Sequence, residues 1–151
     1  MGTEIERIVR LLEKTFDKQP WYGDSMMTTL SGVDPGIANL KHGPTHSIIE
    51  LVVHMVSWRT FVTKRLLGED TFRVTEETNF PTPGSWDSAM NELRDSQRSL
   101  IDAIKKFPEE RLAELVPNAT HKYTFYTLIH GGIQHDIYHL GQIALLRKSF
   151  S

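Results

Sequence analysis

His135 and His139, within GGIQHDIYHLGQIALLR, are spaced so that a helix would stack both imidazoles on one face within reach of a single metal ion. On a wheel of ~100° per residue, His139 falls ~40° from His135, and Leu128 and Leu146 each fall ~20° from it. The pair therefore sits inside an apolar stripe. An imidazole on a core-building face needs a partner, because leaving it unsatisfied costs on the order of 1 to 3 kcal/mol. The segment SIIELVVHMVSW offers one more inward imidazole, His54, with Glu50 one turn before it, Trp58 one turn after it and Phe61 close to the same face. Together His54, His135 and His139 would supply three neutral nitrogen ligands and leave a position open for water or substrate. Glu50 is the candidate catalytic residue: its carboxylate could bind the ion, orient a ligand or accept a proton from activated water. From periodicity alone another reading stands, that of three core histidines hydrogen-bonded to Glu50, Tyr138 and Gln142. Trp58 and Phe61 likewise read either as core or as walls of a pocket around the ion.

The elements that must position these residues are helical. Ile5, Ile8, Val9, Leu11, Leu12 and Phe16 recur at three- and four-residue intervals and predict a first helix from Thr3 to about Lys18. Breakers crowd the segment from Trp21 to Pro44, which reads as a long crossover loop with a short helical turn at Ser25 to Leu30. A second long helix is expected from about Thr45 to Leu67, with a cap near Thr45 or Ser47 and a stop at Gly68. The span from Glu69 to Gly84 reads as a loop, in which TFRVT could make a short extended piece. A third helix follows from about Ser85 to Pro108, then a short turn at Glu109 to Leu115. A fourth helix is expected from about Thr124 to Ser149. It contains Gly131, Gly132 and Gly141, which weaken a helix unless neighbouring backbones approach closely, and so suggest tight packing near the histidines. His42, His46, His121 and His130 fall in loops or off this face and are expected at the surface.

The 151 residues suit one domain with one substantial core. With 17 basic and 19 acidic residues, the chain has no broad field for a polyanion, so nucleic acid is not an expected partner. No apolar run approaches the ~18 residues of a membrane span, and MGTEIERIVRLLEK is acidic and amphipathic rather than signal-like, so no membrane partner and a cytoplasmic location are expected. The absence of cysteine excludes disulfides, thiolate-held zinc and a thiol nucleophile of the chain's own. Thiol chemistry would need an external thiol.

SIIELVVHMVSW followed much later by IQHDIYHLGQIALLR, a lone histidine and then HxxxH with Gly-Gln, resembles the DinB/YfiT-like superfamily of small bacterial four-helix metalloproteins, from the first helix to Arg147. The resemblance implies an all-α four-helix bundle holding a divalent ion, commonly zinc or nickel, at His54, His135 and His139. Some proteins of this kind transfer low-molecular-weight thiols such as bacillithiol, mycothiol or glutathione onto electrophiles, and others are hydrolases or isomerases. Many relatives have a basic residue directly before the Gly-Gln, where this chain has Leu140. The expected function is thus metal-dependent transfer of a thiol cosubstrate to a small electrophile. Metal-dependent hydrolysis, or a non-catalytic metal-binding or interaction role, are the alternatives. The expected partner is a small-molecule substrate, and a homodimer is plausible for a bundle of this kind.

Overall fold

The computed structural model describes residues 2–151. Four long helices, α1 (Glu4–Asp17), α4 (Ile48–Leu66), α6 (Trp86–Lys106) and α7 (Phe125–Ser149), carry the core, and three short ones, α2 (Met26–Ser31), α3 (Pro35–Ala38) and α5 (Glu76–Asn79), lie in the connections. A 3-10 turn at Glu109–Ala113 precedes α7. Among the described residues there is no strand. TFRVT at 71–75 is irregular, and the extended contact that does form is an isolated bridge between Leu115 and Thr124. No helix among the described residues is long and apolar enough to cross a membrane.

Helix starts follow side-chain chemistry. Thr3, Ser47, Ser85 and Thr124 each accept a hydrogen bond from the backbone N–H three residues on, which satisfies a donor the helix itself cannot reach. Gly68 follows α4 with φ +82°, a left-handed conformation in which glycine carries no Cβ penalty.

The core is two apolar layers stacked along the bundle. One joins Ile48 to Met55 of α4, Trp86 to Leu93 of α6 and Leu140 to Leu146 of α7, with Phe16 at the end of α1. The other joins Val62 and Leu66 of α4, Leu100 to Ile104 of α6, Phe125 to Ile133 of α7 and Ile8 to Leu12 of α1. This pairing makes α4 and α6 parallel, with α1 and α7 antiparallel to both. The long first connection is present as expected, carrying α2 and α3. The connection across residues 67–85 must also return the chain along the full bundle, which the sequence reading did not anticipate. Between the layers lies a buried polar level. The Arg59 guanidinium bonds Asp136 and Gln97 and donates to Ser96 Oγ at 2.9 Å, and it lies 5.4 Å from the centre of the Phe16 ring. The pair Arg59 and Asp136 ties α4 to α7 one residue beyond Trp58 and His135, so their helix faces meet in a fixed register.

Candidate metal centre

At that same height the three histidines converge. His54 sits mid-way along α4, and His135 and His139 are successive turns of α7. Their Nε2 atoms form a triangle with every edge 3.1 Å, although His54 is separated in sequence by 81 residues from one partner and 85 from the other. His54 and His139 are buried and His135 is half-buried.

Tautomers decide what this triangle can be. His54 Nδ1 lies 2.6 Å from the backbone carbonyl oxygen of Asn79, which can only accept, so Nδ1 carries the proton and Nε2 a bare lone pair. His139 Nδ1 likewise donates to Gln142 Oε1 at 2.7 Å, leaving its Nε2 bare. Two lone pairs therefore face each other across the edge between His54 and His139, and one N–H from His135 could not satisfy all three edges. A cation would. The edge of 3.1 Å is close to the ~3.3 Å separation of two nitrogens on a tetrahedral ion bonded at about 2.0 to 2.1 Å. His135 Nδ1, buried without a partner in the structure, is the one ring nitrogen that nothing orients.

Electrostatics favour the ligand form. Burial lowers the pKa of His135 to about 4, helped by the neighbouring His139 and His54. Burial also lowers His54, with the bond to the Asn79 carbonyl opposing it, and lowers His139, with the bond to Gln142 opposing it. Near neutral pH the rings are thus unprotonated, the state in which imidazole binds metal. Phe80 stacks on His54 at 4.0 Å between centroids and on His46 at 3.8 Å, so His46, exposed at the surface as expected, also packs behind the site through an aromatic spacer.

Glu50 is not among the converging residues. It is the third residue of α4 and forms a capping box: Ser47 N–H donates to Glu50 Oε1 at 3.0 Å, and Glu50 N–H to Ser47 Oγ at 3.3 Å. Lys41 Nζ lies 3.3 Å from Oε1, and His46 Nδ1 lies 3.6 Å from Oε2. The helical wheel put Glu50 on the face of His54. The capping geometry instead turns its carboxylate back toward the start of the helix. Asn79, which holds His54 in its tautomer, was missed because it lies in the connection before α6, where no periodicity marks it. Gln142, named from the sequence as a hydrogen-bond partner of the core histidines, is the residue that orients His139.

Beside the centre is a cleft of about 490 Å³. Two stripes face each other across it: His54, Trp58 and Phe61 of α4, and Thr127, Gly131 and His135 of α7. The fourth-helix glycines are not equivalent. A Cβ at Gly132 would meet Val62 Cγ2 at 3.2 Å, which is the close approach their presence suggested, but at Gly131 and Gly141 it would meet nothing within 4 Å.

Fold and site together define a helical-bundle protein with three histidines placed to hold a metal ion. The profile of the DinB superfamily matches residues 6–143, and the chain belongs to that superfamily. A crystal structure of a protein from Streptococcus pneumoniae is similar with a TM-score of 0.72 at 16% identity, over 99% of this chain and 91% of that one, which is a likeness of fold. No curated protein matches the sequence. Leu140, where many relatives are expected to be basic, is buried in the first core layer.

Proposed function

We propose that this protein is a metal-dependent enzyme that activates a low-molecular-weight thiol for transfer to a small electrophile, with zinc or nickel held by His54, His135 and His139. The observation that carries this reading is the convergence of three Nε2 atoms, those of His54 and His139 bare, beside an open cleft. A divalent ion held by His54, His135 and His139 would lower the pKa of a bound thiol and make the thiolate available near neutral pH. Asn79 and Gln142 hold two of the three rings in the ligating tautomer. Trp58 and Phe61 form an apolar wall of the cleft on one side. The chain contributes no thiol of its own, so the nucleophile is a cosubstrate.

Thiol transfer is favoured over hydrolysis by what the cleft lacks. No carboxylate is among the residues that line it, and Glu50 is engaged at the helix start. Hydrolysis would have to generate its nucleophile from water without such a base. A thiol, with a pKa of about 8.5, needs a much smaller shift.

Metal analysis and spectroscopy test the proposal. Untagged protein is expected to hold near-stoichiometric zinc or nickel, and His135→Ala to lose it. Cobalt-substituted protein is expected to develop a thiol-dependent sulfur-to-cobalt band. Metal without that band would favour the hydrolase, and absence of metal after reconstitution would favour a non-catalytic interaction role.

A further inference from the structure

Apart from the two histidines, the cleft is lined by apolar and aromatic side chains with Asn79, Tyr123 and Thr127 as its polar members, and none of these carries a charge. One donor on its walls is already used. The indole N–H of Trp58 donates to Asn79 Oδ1 at 2.8 Å, so the ring offers the cleft an apolar surface. The Arg65 guanidinium lies 5.0 Å from the centre of the Phe61 ring, but Arg65 does not line the cleft, and it bonds the carbonyls of Phe72 and Pro117 instead. Burial raises the pKa of Tyr123 above its ordinary value, with the nearby Arg73 opposing it, so Tyr123 adds no charge to the cleft. Away from the histidine end, an ionic group seated here would lose hydration with no charged side chain among the lining residues to offset it. Thiols of the glutathione kind carry carboxylates, which find no charged partner among the residues that line this cleft.

We propose that the cleft seats an uncharged, apolar group of aromatic size, the organic part of the electrophile, and that Gly131 sets the size it accepts. This rests on the reading of the histidine centre as the place of reaction. Gly131 lies one turn before His135 in the interior of α7, where glycine weakens a helix relative to alanine. A side chain there would touch no other part of the protein within 4 Å of its Cβ, and Gly131 is not among the glycines with positive φ. Neither packing nor backbone conformation requires glycine, and the space left free is that of the cleft. Its volume of about 490 Å³ is ample for one bicyclic aromatic molecule.

The test uses two fluorescent probes on the full chain without thiol: neutral N-phenyl-1-naphthylamine, and 8-anilino-1-naphthalenesulfonate, the same ring system with one sulfonate. The neutral probe is expected to bind at least about tenfold more tightly than the anion, and Gly131→Leu to weaken it at least about tenfold. Gly141→Leu, at an equally open helical glycine beside Tyr22 and Arg147, is expected to change binding by less than about twofold. Should circular dichroism show Gly131→Leu misfolded, Gly131→Ala takes its place with an expected loss of about threefold. Equal affinity for the two probes overturns the proposal, as does a loss in Gly141→Leu as large as that at Gly131. No turnover is read, so the two readings fail separately. Selective probe binding in a protein that takes up no metal would remove the proposed enzyme and keep the cleft, whereas thiol transfer with unselective probe binding would remove only the cleft assignment.

Discussion

Glu50 shows how far a single residue can be read from its place in a helix. Its spacing to His54 was compatible with a catalytic carboxylate, but the same residue is three positions after Ser47, and that relation governs where its side chain goes. Partial burial pushes its pKa up, yet the bonds from the Ser47 backbone and hydroxyl and from Lys41 outweigh this and hold it at about 2, below its ordinary 4.5. A carboxylate held low in the folded state contributes stability that is present above the unfolded pKa and is lost as pH falls toward the folded one. Glu50→Gln is therefore expected to leave metal content and turnover unchanged and to lower stability by a few tenths to about 1 kcal/mol at neutral pH. In urea titrations that difference should shrink from about pH 4.5 toward pH 2. Loss of metal or of activity in this variant would return Glu50 to the site. The convergence of the three histidines was legible because two independent helical faces each carried polar groups where apolar ones were due. The groups that orient them were less so: Asn79 acts through a backbone carbonyl, which every residue has, and no side-chain pattern can announce it.

Among the elements, α7 carries the most information per residue. Its glycines were read together as a sign of tight packing, and the structure separates them. At Gly141, exposed and with open space around a Cβ, alanine should stabilise the protein by about 0.5 to 1 kcal/mol, because it removes the conformational freedom that glycine brings to the unfolded chain. At Gly132 the added methyl would press on Val62, a buried β-branched side chain, and that gain should be absent. Paired urea midpoints for the two variants measure this directly, and equal gains would show that α4 and α7 have slack at Val62. The four long helices were legible to within three residues at their ends, since capping residues and apolar periodicity agree at each of them. The four-residue helices α3 and α5 were not, because a single turn has no period to detect. The parallel course of α4 and α6 was also hidden, as it depends on how residues 67–85 travel and not on the faces of either helix.

At the scale of the whole molecule, that topology joins histidines that lie far apart along the chain. His54 is separated by 81 and 85 residues from the atoms it meets, so the centre exists only after α7 has docked on α4, with the returning connection delivering Asn79 between them. An ion that binds this assembled state alone adds its free energy to the native bundle and none to the open chain. If docking follows the rate-limiting barrier, the whole effect falls on one direction of the reaction. At a free ion concentration of about 100 times Kd, unfolding in denaturant should slow roughly 100-fold, while refolding proceeds at the rate seen with chelator present. Stopped-flow traces with and without chelator would show it, and acceleration of refolding by the ion would mean that α4 and α7 meet early. The histidine triangle then acts as a clasp closed last and opened first, setting how long each native molecule survives and not how quickly it forms.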